Sequence, residues 1–181
     1  MQTKFNEMVL TLKKPGQDII DSWTPAKASA AHMLTGLLDE FFELAEADHL
    51  YSKDASSGNQ RLVVEEAGDS LFYIKGLEQD LDLREVSFST SYVEGLDLDQ
   101  VMISILTPIK RHLYYNKPLD KEEVAKALEV YAAIVVYTAT QSAGATLDEV
   151  LEANMVKLLK GRYKSGYSDE AANKREDKTE A

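Results

Sequence analysis

The sequence contains no cysteine. Disulfides and thiolate metal sites are therefore excluded, and a reducing compartment suits the chain. Breakers are scarce as well, with four prolines and nine glycines in 181 residues, so long helices are the expectation. No apolar run approaches the roughly 20 residues of a membrane span. The opening stretch MQTKFNEMVLTLKK has no apolar segment of signal-peptide type. A soluble, cytoplasmic protein with no membrane partner is expected. A glycine-rich phosphate loop is missing, as is any Ser-His-Asp or Cys-His arrangement. Basic residues are in deficit, 20 against 31 acids, for a net charge of −11. Such a chain repels the phosphate backbone, so nucleic acid is not the expected partner. The acidity has two meanings: a solvated surface, or a cluster of acids that takes a divalent cation.

What is present reads as one all-α domain, a bundle of four to five helices. Its 44% apolar content is enough for a core. Residues 1–23 read as a lead-in broken at Pro15-Gly16. Thr24 caps a helix whose first turn holds Pro25 and whose periodicity runs to about Leu50. SKDASSGN is a loop by composition, and a second helix spans about Gln60–Leu81. Residues 84–99 read as a linker. A third helix covers about 98–114, with Pro108 inside it as a kink. Asp120 caps a fourth that ends at Gly144. Thr146 and Glu149 form a capping box for the fifth. The domain is placed at 24–164, before a polar tail at 165–181. A weak internal repeat sets 33–44 against 102–113 and 71–83 against 135–147, which makes about 98–164 a second half without the acids of the first.

Those acids lie on helix faces that should be buried. At about 100° per residue, Glu40 falls among Met33, Gly36, Leu37, Leu44 and Ala47, with Glu43 at the edge of the arc. On the next helix Glu66 falls among Leu62, Val63, Ser70, Tyr73 and Leu77, with Asp69 at the edge. A carboxylate left unpaired in a core costs several kcal/mol or changes its pKa. Two facing pairs would repel, and a divalent cation with a taste for oxygen resolves this. The plainer alternatives are solvated helix faces or neutralisation by Lys and Arg. On the fifth helix Asn154 and Lys157 also point inward. They read either as a wall meeting phosphate or base, or as a bonded amide beside a lysine snorkelling outward. Glu46-x-x-His49 has the spacing of a di-iron ligand pair, but the second copy such sites need is missing.

Glu40-x-x-Glu43, a gap of 22 residues, and Glu66-x-x-Asp69 together resemble the signature of the MazG-like all-α NTP pyrophosphohydrolases. GLLDEFFELAEA and EEAGDSLFYI are similar to the family's two acid motifs, and YNKPLD also occurs there. ANMVKLLKGRYKSGYSDEAANKREDK resembles the closing signature of many phage-encoded and bacterial members. The likeness covers roughly 24–83 and 98–178. Two departures stand out. Asp39 fills a place where the family often has Glu, and extra helices separate the acid motifs from the closing signature, as in a fused, half-degenerate duplication.

The resemblance implies cleavage of a nucleoside triphosphate, by its phage-like ending a deoxynucleotide, between the α- and β-phosphates. It implies Mg²⁺ or Mn²⁺ held by Glu40, Glu43, Glu66 and Asp69. Asp39, ahead of Glu46, would take a proton from water. Asn154, Lys157, Arg162 and Tyr163 would bind the nucleotide. Lys110, with Arg111, is expected to face the triphosphate. A homodimer or homotetramer in the cytoplasm, the host's for a viral protein, completes the expectation. The rival readings are a non-catalytic nucleotide-binding or regulatory bundle, and a di-iron bundle.

Overall fold

The computed structural model describes residues 1–88 and 95–174. Part of the linker and the last seven residues, with Arg175 of the closing signature, lie outside them. The protein is all-α. Its helices are α1 (Gln2–Leu12), α2 (Gly16–Ser22), α3 (Pro25–Lys53), α4 (Ser57–Asp80), α5 (Leu98–Tyr115), α6 (Lys121–Ala143), α7 (Leu147–Met155) and α8 (Asp169–Lys174). A π-helical segment, Val156–Arg162, continues α7. No strand occurs among the described residues, only an isolated bridge between Lys164 and Gly166. None of the described helices is long and apolar enough to cross a membrane.

The ends of the helices follow the cap chemistry. Thr24 accepts from Lys27 N at 3.2 Å, and Asp120 accepts from Glu123 N at 3.0 Å. Thr146 and Glu149 complete a reciprocal capping box. Gly144 closes α6 at φ +64, a left-handed conformation that glycine adopts without a Cβ penalty. Residues 1–23, read as a lead-in broken at Pro15-Gly16, form two exposed helices interrupted ahead of Gly16. Pro108 lies inside α5, where the sequence places it.

The core lies where α4 meets α3 and α6. Every residue of α6 from Tyr131 to Val136 is buried. Its alanines, 125, 132, 133 and 139, let it approach α4 closely, and α5 covers its other side. α7 packs on α4 as well. The α3–α4 hairpin is antiparallel, and its glycines set the register. A Cβ on Gly36 would lie 2.1 Å from the Tyr73 ring, and one on Gly76 would lie 2.2 Å from Met33 Sδ. Four residues forward from Gly36 is Glu40, and four back from Tyr73 is Asp69. One turn further, Glu43 comes opposite Glu66.

Candidate metal centre and its cleft

That register brings the two acid motifs together. One carboxylate oxygen from each of Glu40, Glu43 and Glu66 lies within 4.8 Å of the others, a grouping that can hold a metal ion. Glu66 is 4% exposed, whereas Glu43 is open to solvent. Glu40 Oε2 is fully buried and meets no hydrogen-bond partner. A buried, unpartnered carboxylate oxygen carries the full cost of its lost hydration. The group titrates far above the ordinary carboxylate value of 4.5. Burial, followed by the charges of Asp69, Glu66 and Glu43, pushes Glu40 up to about 8. Burial, with Glu65, Asp69 and Glu43, pushes Glu66 up to about 7 against the pull of Lys157. Three hard oxygen donors, one of them orphaned, fit a cation that takes oxygen ligands.

Asp69, the fourth expected ligand, is engaged elsewhere. Asn154 Nδ2 donates to its Oδ1 at 2.6 Å, and Lys157 Nζ lies 2.5 Å from its Oδ2. Lys157 also bonds Glu65 Oε1 at 2.7 Å. The lysine thus turns inward instead of snorkelling outward. The amide meets a side-chain carboxylate and no backbone group. Burial alone would lower the Lys157 pKa, but Asp69 and Glu65 outweigh it and hold the ammonium charged. Gly68 makes this contact fit, since a Cβ there would lie 2.8 Å from Asn154 Cβ. The need for a glycine one residue before Asp69 is visible only across the α4–α7 interface.

A cleft of about 630 Å³ opens beside the carboxylates. Asp39, Glu40, Glu43 and Asp69 line one wall; Leu158, Arg162 and Tyr163 line another. The second wall depends on the π-helical segment. Tyr163 N bonds Leu158 O at 2.7 Å, five residues back. In a regular helix Tyr163 would point well away from the line of Leu158. Widening the turn swings it round to the same cleft, and π-turns often mark functional sites for this reason.

Most of the expected site residues therefore converge, but not as one set. Glu40, Glu43 and Glu66 form the cluster that could hold a metal ion. Asp39, Asp69, Arg162 and Tyr163 line the cleft. Asn154 and Lys157 grip Asp69 and line a second cavity, of about 980 Å³, on the far side. Lys110 is exposed on α5 and lines neither of these two cavities. It falls near the repeat positions of the first-half acids, on a helix that packs mainly on α6. Sequence reasoning missed His32, Tyr73 and Tyr167, which also line the cleft, and Glu65. The tyrosine in EEAGDSLFYI was a signal, but its apolar neighbours read as core. No family model, curated protein or solved structure matches this chain.

Proposed function

We propose that this protein is a metal-dependent nucleoside triphosphate pyrophosphohydrolase of MazG-like type, acting on the deoxynucleotide pool and releasing a monophosphate and pyrophosphate. The observation that carries the reading is the packing of Glu40, Glu43 and Glu66 at one wall of a cleft whose other wall presents Arg162 and Tyr163. Mg²⁺ or Mn²⁺ is the cofactor that oxygen ligands of this kind favour. Such an ion, when bound, offsets phosphate charge and makes a water molecule acidic near neutral pH.

The remaining work falls to the chain itself. Asp39 stands exposed at the cleft edge and suits the part of proton acceptor. Arg162 offers a planar fork for phosphate oxygens. Tyr163 presents a ring for the base. Lys157 and Asn154 hold Asp69 in place from behind. The same reading implies that chains pair in a cytoplasmic homodimer or tetramer.

A second reading has one observation in its favour. Asp69 already has a cation in Lys157, as a bundle that binds nucleotide without turning it over would allow. One assay separates the two. Pyrophosphate release is measured across the common ribo- and deoxyribonucleoside triphosphates with Mg²⁺ and then Mn²⁺, with the Glu66→Gln variant alongside. Metal-dependent release with a monophosphate product, lost in the variant, is expected. Nucleotide binding with no release from any of them would sink the hydrolase reading and favour the binding bundle.

A further inference from the structure

We propose that Tyr73 is a substrate-contacting residue of this cleft, its hydroxyl donating a hydrogen bond to a phosphate oxygen of the bound triphosphate. The inference rests on the hydrolase reading above. It starts from Gly36. A Cβ at that position would lie 2.1 Å from Tyr73 Cε1 and 2.3 Å from Cζ, the carbon that bears the hydroxyl. The ring therefore lies against α3 in a notch that only glycine leaves open. Gly36 and Glu40 are four residues apart on one helix face, so the phenol sits one turn from the metal group. Its ring is held edge-on by His32 at 6.4 Å and by Phe72 at 5.4 Å. All three side chains line the cleft with Glu40, Asp69 and Arg162.

The chemistry of the cleft calls for a donor of this kind. Four acids line it, and a triphosphate entering it meets repulsion wherever the cation does not reach. A second lysine here would be captured by the carboxylates, as Lys157 is by Asp69 and Glu65. A neutral hydroxyl bonds phosphate without competing for them. Burial, then the charges of Glu40 and Asp69, raises the Tyr73 pKa above its ordinary value of 10, against the pull of Arg162. The phenol thus keeps its proton across the working range.

The test uses the full chain and two probes, Mn²⁺ alone and inorganic pyrophosphate in saturating Mn²⁺, both followed by titration calorimetry. Tyr73→Phe should bind Mn²⁺ as the wild type does and bind pyrophosphate about tenfold more weakly, the loss of one hydrogen bond to a charged oxygen. Equal pyrophosphate affinity in Tyr73→Phe and wild type would overturn the proposal. So would a parallel loss of Mn²⁺ affinity, which would make the ring a support for the ligands. Wild-type protein that binds neither probe would remove the hydrolase reading and this inference with it. Wild-type binding that Tyr73→Phe leaves intact would remove the inference alone.

Discussion

At the residue scale, the site is governed by which carboxylates have a cation and which do not. Asp69 has Lys157; Glu40 and Glu66 are buried without one of their own. Lys157 is 12% exposed and Asp69 14%, so the pair lies out of reach of most solvent screening. Replacing Lys157 with Met leaves Asp69 and Glu65 as uncompensated charges beside two more acids. Removing one partner of a buried pair costs about 3 kcal/mol. The variant is expected to unfold at a lower urea midpoint, and added Mn²⁺ should recover part of the loss by restoring positive charge. An unchanged midpoint would show that solvent already screens Asp69.

At the element scale, the α3–α4 hairpin stores the repulsion of its own acids, and this couples stability to pH. In the folded state Glu40 and Glu66 release their protons at about 8 and about 7, against 4.5 in an unperturbed chain. Between those values the native protein holds protons that the unfolded chain has lost. Stability therefore falls as pH rises through that window, and the full cost is present above it. A cation competes with the same protons, so its affinity rises as pH rises. The melting temperature of metal-free protein is expected to fall from about pH 5 to about pH 8.5, and the increment from Mn²⁺ should be larger at the upper end. A flat metal-free profile over that range would mean the carboxyls are not buried as described. The periodicity of α3 and α4 and their caps were legible from sequence because each is a local property. The π-helical turn was not: VKLLKGR carries no composition that distinguishes it from α-helix.

At the scale of the whole molecule, the unpaired surface is informative. α1 exposes Phe5, Met8, Val9 and Leu12 along one face, with Phe5 at 58% and Leu12 at 73%. Apolar stripes of this kind on a helix are usually covered. If chains pair as proposed, sedimentation of the wild type should give a dimer or tetramer. The double variant Phe5→Glu, Leu12→Glu should then shift toward monomer while keeping its helical spectrum. A wild-type monomer across the micromolar range would refute pairing. The halves of the proposed repeat occupy two helix pairs, α3 with α4 and α5 with α6. His112 is half-buried in the second pair, and Ile109 and Ala133 are buried there. They stand at the repeat positions where the first pair carries Glu43, Glu40 and Asp69.

By itself the sequence determined the helical class, the bounds of α3, α4, α5 and α6 to within a few residues, and the presence of acids on faces meant for the interior. These follow from periodicity, capping residues and the scarcity of breakers, all of which act over a few residues of chain. Tertiary structure alone decided the grouping. The Gly36–Tyr73 and Met33–Gly76 contacts fix the register that joins Glu40, Glu43 and Glu66. The approach of α7 to Gly68 gives Asp69 to Lys157 and Asn154 instead. Four acids that look equivalent in one dimension become a cluster of three that could hold a cation and one ion pair, because a carboxylate's partner is set by which helix crosses it and at what height.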